Sequence, residues 1–211
     1  MRDARARAVW PTLRLRSSTC RDGRRGPRSE VALPAGLPLL TGLLCLLLSS
    51  AALAGGWIRE LRGGALAHDV DGLWSGTRAE SGVDWNAEVV LWRAGLGLRW
   101  GTLHPNLGVS VNDRGDTSKL YAGVLWDLEA PFGMFLNLGV GAAIHDGRRD
   151  TSDDDRKQLG SRVLFRIPIE LGYSITEHHR LMVTFDHVSN ADLASPNEGL
   201  DTLGVRYGYR F

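Results

Sequence analysis

The sequence predicts an all-β protein: an eight-stranded antiparallel outer-membrane β-barrel after an N-terminal signal segment. Three observations predict it. Residues 1–54 have the parts of an export leader. The remainder alternates apolar and polar residues in segments of barrel-strand length, with no sustained 3.6-residue period. The polar face of those segments carries arginines and acids, which can pair inside a narrow lumen but are costly in a soluble core.

The leader comes first. Val31 to Ala54 holds no charged residue, its centre from Leu39 to Leu48 is mostly leucine, and it ends Ala52-Leu53-Ala54 before Gly55-Gly56. A basic stretch, an apolar run and a small-x-small end are the three parts of a secretory signal peptide. The basic stretch is longer than such a leader needs, so translation is expected to start downstream of Met1. A retained transmembrane helix is the rival reading, since the uncharged run is long enough to span a bilayer. Pro34, Pro38 and the A-x-A end favour cleavage. Two domains are thus expected, a leader over 1–54 and a barrel over 55–211.

Charge divides at the same place. The formal net charge is +1, but residues 1–54 carry nine arginines against Asp3, Asp22 and Glu30. Residues 55–211 are net acidic, which disfavours a general nucleic-acid binder. Cys20 and Cys45 both lie in the leader, so the mature chain offers neither a disulfide scaffold nor a cysteine metal site. Leu43-Leu44 before Cys45 is too bulky for a lipoprotein site.

Eight strands are expected at roughly 57–70, 81–93, 96–111, 118–129, 132–145, 159–173, 178–190 and 200–211. Trp57, Trp74, Trp85, Trp92, Trp100 and Trp126 read as interface-belt and lipid-facing anchors, and Gly95-Leu96-Gly97 as strand spacing. Turn signals separate the segments at Asn112-Asp113-Arg114-Gly115, Ala130-Pro131, 146–158 and Thr176-Glu177-His178-His179. In the fifth strand Leu136, Leu138 and Val140 alternate with Asn137, Gly139 and Gly141. In the sixth, Val163, Phe165, Ile167 and Ile169 oppose a face with Arg162, Arg166 and Glu170. In the seventh, Leu181, Val183 and Phe185 oppose Thr184 and Asp186. In the last, Leu203, Val205, Tyr207, Tyr209 and Phe211 oppose Arg206 and Arg210. The terminal Tyr207-x-Tyr209-x-Phe211 is the kind of aromatic end that barrel-assembly machinery recognises, so Phe211 is expected to engage it. A soluble sandwich is the bland rival. Eight strands leave no room for an aqueous pore, so bulk transport is not expected.

The chemistry is expected where the last two strands meet. His187 and Ser189 continue the apolar face of Leu181, Val183 and Phe185, because a spacing of two keeps side chains on one side. The chain then reverses over Ala191 to Leu200, and Asp201 begins the last strand in phase with Leu203. An antiparallel hairpin brings Asp201 to the 187–189 end. Eleven tilted residues rise on the order of 25 Å, about one apolar band, which puts this trio at the outer leaflet. Serine needs a base, His187, to become a nucleophile, and the base needs a carboxylate, Asp201, to fix its tautomer. An oxyanion would take backbone N–H groups after Ser189, with the Asn190 side chain as a further candidate. No metal or other cofactor is required.

His187-Val188-Ser189-Asn190-Ala191, then Asn197-Glu198-Gly199-Leu200-Asp201 and the terminal Tyr-Arg-Phe, resemble the lipid A 3-O-deacylase (PagL) family, also called acyloxyacyl hydrolases. The sharp motif covers 181–211; length and strand number extend the resemblance to about 56–211. It implies an eight-stranded outer-membrane barrel with a His-Ser-acid triad on its outer face, acting without a metal on the ester-linked acyl chain at position 3 of lipid A, a lipopolysaccharide component. By resemblance His187 matches the base and Ser189 the nucleophile. The family's acid is usually Glu, where this chain has Asp201; Glu198 is the second choice, being even in phase and in a loop. A homodimer is the one self-assembly considered.

Other groups read as structural. His178-His179 sit at a turn, and His68, His104 and His145 are expected to be isolated and solvated. Asp153-Asp154-Asp155 is expected as a solvated outer loop, with divalent-ion bridging to lipopolysaccharide phosphates as its functional alternative. Two rivals to an esterase remain: a non-catalytic barrel that binds lipid or scaffolds envelope proteins, and a soluble periplasmic lipid-binding barrel.

Overall fold

A computed structural model of the chain describes residues 57–76, 80–92 and 95–211; the leader expected over 1–54 lies outside them. The alternating segments form strands β1 (Ile58–Ala67), β2 (Val83–Leu91), β3 (Leu96–Leu98), β4 (Gly101–Asn112), β5 (Lys119–Glu129), β6 (Met134–His145), β7 (Val163–Ser174), β8 (His179–Ser189) and β9 (Leu200–Arg210). All pairings are antiparallel. Sequence neighbours pair along β4 to β9, β9 returns to β1, and β1 to β2; β2 then pairs with β4 and closes the barrel. The wall therefore has eight long strands. Among the described residues no helix is long and apolar enough to cross a membrane; the crossing is made by strands.

Two expected elements differ in detail. The single strand expected over 96–111 is broken at Gly101, whose φ of +123° suits glycine and turns the chain back, so Leu96–Leu98 pairs with Gly101–Leu103 as the short β3. The strand expected to start at 159 starts at Val163, because the N–H groups of Leu159 and Gly160 bond the carbonyls of Arg148 and Arg149 and hold 159–162 in the preceding loop. Arg162 consequently lies outside the lumen and exposed, not on the inner face with Arg166 and Glu170.

Alternation sorts the side chains as the period of two requires. Val140 is 63% exposed, and Leu171, Leu181, Val183 and Val205 are also exposed, an apolar band that only lipid would cover without cost. Opposite faces turn inward. Arg62 bonds Glu60 at 2.9 Å and Glu170 at 2.7 Å, Arg166 bonds Asp186 at 2.7 Å, and Arg180 meets Glu60 at 2.9 Å and Asp127 at 3.3 Å. Arg206 pairs with Glu170, and Lys119 with Asp186 at 2.9 Å. These charges are buried but mutually paired, so the lumen is packed with ion pairs; removing one partner strands the other and costs about 3–5 kcal/mol. Gly108 leaves the space that Tyr121 fills inside the wall, because a Cβ there would strike the phenol.

Connections differ between the two ends. Those at 130–133 and 175–178 have four residues each, whereas at the other end 113–118 has six and 68–82, 146–162 and 190–199 have ten or more. Short turns mark the periplasmic end of such barrels and long loops the outer end. Trp57, Trp92, Trp100, Phe132 and Tyr209 ring the short-turn end. His178 and His179 lie there too, bonded to the Arg210 carbonyl and the Tyr207 hydroxyl.

The remaining histidines are buried, contrary to the expectation of solvated rings. His104 donates from Nδ1 to the Trp92 carbonyl and accepts at Nε2 from Thr102. His145 Nε2 bonds the Ser161 carbonyl at 2.6 Å. His68 is held between Asp84 (2.7 Å) and Glu80 (3.0 Å). Loops fold over each ring, which local sequence does not reveal.

Candidate active site

The β8–β9 register places His187 directly opposite Asp201. On the other side of β8, Ile167 faces His187 and Phe165 faces Ser189. His187 Nδ1 lies 2.6 Å from Asp201 Oδ1, and His187 Nε2 lies 3.0 Å from Ser189 Oγ. A carboxylate only accepts, so Nδ1–H donates to Asp201 and the Nε2 lone pair faces the serine hydroxyl. The three expected residues thus form one hydrogen-bonded row, at the long-loop end of the barrel.

The row is roofed, not bare to lipid. Asp201 is 0% exposed because the loop after β1 lies across it. Its Oδ2 accepts the backbone N–H groups of Trp74 (2.6 Å) and Ser75 (2.8 Å), and its carbonyl accepts Val70 N–H at 2.9 Å. Both carboxylate oxygens are therefore committed, one to the imidazole and one to this clamp. The Trp74 indole stands edge-to-face on His187 and on Phe185, with ring centroids 5.3 Å apart in each case. His187 is buried, and the row opens at the half-buried Ser189. Gly199, at φ +67°, passes beside the imidazole where a Cβ would come within 3.1 Å of His187 Cε1.

Buried polar groups brace the roof. Lys157 Nζ meets Asp69 Oδ1 at 3.1 Å and donates to the Gly76 carbonyl at 2.7 Å. Glu80 accepts the N–H groups of Lys157 and Thr117. Burial alone would lower the His68 pKa, but its bonds to Asp84 and Glu80 prevail and raise it to about 9. Burial would likewise raise Glu80, but His68 and the Thr117 and Lys157 bonds hold it down at about 2.

The surroundings of Asn190 and of Glu198, the second choice of acid, differ from the expectation. Asn190 Nδ2 donates to the carbonyls of Leu159 (3.0 Å) and Pro196 (2.8 Å), so its amide is spent on clamping two loops and has no donor left for an oxyanion. Glu198 Oε2 accepts Gln158 N–H at 2.6 Å, which puts this carboxylate in the loop brace, and the carboxylate that His187 bonds is that of Asp201. The Trp74–Ser75 clamp was not foreseen: it uses backbone donors, which leave no residue signature, and Trp74 alone reads as a belt anchor. Among the described residues no group of three His, Cys, Asp or Glu is arranged to hold a metal ion.

A barrel with an apolar outer band and a packed charged lumen is an outer-membrane protein, and the row on its outer wall is of the kind that serves ester hydrolysis. The family model described as lipid A 3-O-deacylase (PagL) matches residues 68–210. The lipid A deacylase PagL of Bordetella bronchiseptica is 33% identical over 131 residues, covering 57% of this chain and 70% of that one. Among solved structures, the outer membrane enzyme PagL superposes with a TM-score of 0.54 at 20% identity, covering 72% of this chain and 99% of that one. The N-terminal β-barrel domain of Pseudomonas aeruginosa OprF reaches 0.50 at 12% identity, over 74% and 98% of the two chains; these two likenesses speak to the fold. The chain belongs to the lipid A 3-O-deacylase (PagL) family, and is accordingly an ester hydrolase of the outer membrane.

Proposed function

We propose that this chain releases the 3-O-linked acyl chain of lipid A, using Ser189, His187 and Asp201 as a triad at the outer rim of the barrel. The observation that carries the reading is the continuous row from Asp201 Oδ1 through the His187 ring to Ser189 Oγ, at 2.6 and 3.0 Å.

Each residue has a separate task. His187 Nε2 takes the Ser189 proton as Oγ attacks the ester carbonyl carbon. The resulting imidazolium is stabilised by Asp201, whose charge is fixed by Trp74 and Ser75 N–H groups and does not need to move. His187 then returns the proton to the departing sugar oxygen, leaving the acyl group on Ser189 and a free hydroxyl on the sugar. Water, deprotonated by the same Nε2, attacks the acyl-serine; the acyl–Oγ bond breaks, the proton on Nε2 returns to Ser189 Oγ and the fatty acid leaves. For the oxyanion, Asn190 N–H is engaged by Asn197 Oδ1. The next N–H, that of Ala191, has no partner among the described residues, and Ala191 has a φ of +54°. We assign it as the first oxyanion donor.

Residues 1–54 remain, in this reading, an export leader ahead of the barrel domain at 55–211. The test is mass spectrometry of lipid A from cells making the wild type or Ser189→Ala. Loss of one hydroxyacyl chain with the wild type alone is expected. Loss with both proteins overturns the nucleophile. No loss from a folded wild-type barrel, in the membrane or in detergent, favours the non-catalytic lipid-binding reading.

A further inference from the structure

Most described arginines are tied to acids. Arg59, Arg62, Arg166, Arg180, Arg206 and Arg210 pair across the lumen or at its lower end, and Arg156 pairs with Asp116. Four arginines at the outer rim, Arg114, Arg148, Arg149 and Arg162, depart from this, and the last three share one cleft. Arg148, Arg149 and Arg162 make no ion pair within 4.0 Å among the described residues. All three line one open cleft of about 430 Å³, together with Asp146, Asp150 and Ser195. Asp146 is already engaged, accepting Ser118 N–H at 2.7 Å. Three arginines against two carboxylates, Asp146 and Asp150, leave the cleft net cationic.

Its place in the fold ties it to the nucleophile. Ser195 belongs to the β8–β9 loop that starts immediately after Ser189. The cleft wall at Gly160 packs on Pro196 and the Asn190 amide so closely that a Cβ would collide with both. Asn190 ties the two loops by its bonds to Leu159 and Pro196. Arg162 immediately precedes β7, three residues before Phe165, the β7 partner of Ser189, so it lies within roughly 10 Å of that position along the chain.

We infer that Arg148, Arg149 and Arg162 form a phosphate-binding cleft that holds a phosphate monoester on the lipid A sugar and so seats the ester of the same sugar at Ser189. This rests on the deacylase reading above. Guanidinium forks match phosphate oxygens in a bidentate way, and lipid A carries a phosphate and the 3-O ester on one glucosamine ring. A lipid held only by its acyl chain can rotate about the membrane normal. A second anchor at the headgroup restricts the ester to the attack geometry.

The experiment uses the full barrel in detergent micelles and compares two substrates, lipid A with its phosphates and the same lipid dephosphorylated. The wild type is expected to favour the phosphorylated lipid roughly tenfold in kcat/KM. In the triple variant Arg148→Gln, Arg149→Gln, Arg162→Gln that ratio falls to about one, through KM more than kcat. Free inorganic phosphate competes with the wild type if the cleft accepts any monoester. Phosphatidylglycerol micelles, which offer only a diester, compete no better than neutral lipid. No substrate preference in the wild type, or the same preference in the triple variant, overturns the proposal. Should the wild type hydrolyse neither lipid, the deacylase reading fails. The cleft is then judged by binding of the two lipids to folded Ser189→Ala protein, where equal affinity overturns it.

Discussion

Lys157 Nζ lies 3.1 Å from Asp69 Oδ1, with both side chains fully buried, and this ion pair joins the loop before β7 to the loop that roofs the candidate triad. The same ammonium bonds the Gly76 carbonyl, immediately after the two N–H groups that clamp Asp201. Lys157 is thus a positioning residue, remote from substrate but linked to the acid through Gly76 and the adjacent Ser75 N–H. Lys157→Met leaves Asp69 charged and unpaired, a loss of about 3–5 kcal/mol in the rim. The expected outcome is faster hydrogen exchange at Trp74 and Ser75 and roughly tenfold lower kcat, with the barrel still folded. Lys157→Met with Asp69→Asn should regain part of both.

The acid itself can be tested by charge and length. Asp201→Asn cannot fix the imidazole in the tautomer that leaves Nε2 free, and kcat should fall by about 10³–10⁴-fold. Asp201→Glu keeps the charge and adds one methylene, so it should stay within about tenfold of the wild type. Full activity in Asp201→Ala, measured on micellar lipid A, would falsify the assignment of this residue.

Trp74 covers His187 with its ring edge. Trp74→Ala uncovers the imidazole to water and removes an aromatic contact of about 0.5–1.5 kcal/mol. The clamp to Asp201 uses the backbone and survives the change. The expectation is a several-fold fall in kcat, with the histidine–carboxylate proton still seen by NMR; disappearance of that signal would show instead that the indole holds the loop.

Rim stability should depend on pH in a defined window. His68 has its pKa raised from 6.5 to about 9 in the fold, so its contribution is complete below pH 6.5 and lost as pH rises through 9. Glu80 is lowered from 4.5 to about 2, so its contribution is complete above pH 4.5 and lost as pH falls through 2. Together they predict greatest stability of this cluster between pH 4.5 and 6.5. NMR titration of His68 should show a midpoint near 9. The fall in Tm between pH 6.5 and 9 should be smaller in His68→Gln.

Much of this protein is legible in one dimension because a strand repeats every two residues. Odd positions in β8 and β9 face outward, even ones inward, and that parity alone puts His187, Ser189 and Asp201 on one side; the hairpin register then makes His187 and Asp201 direct partners. The arginines and acids of the lumen announce their side for the same reason. What parity does not carry is loop packing. The clamp of Trp74 and Ser75 on Asp201, the commitment of Asn190 to two carbonyls, the burial of His68 and the exposure of Arg162 all depend on segments far apart in sequence, meeting through backbone groups that every residue possesses. The sequence by itself determined the barrel, its two faces and the members of the row. Only the tertiary structure decided which groups hold that row in place, because those contacts follow from where the loops fold and not from the period of the strands.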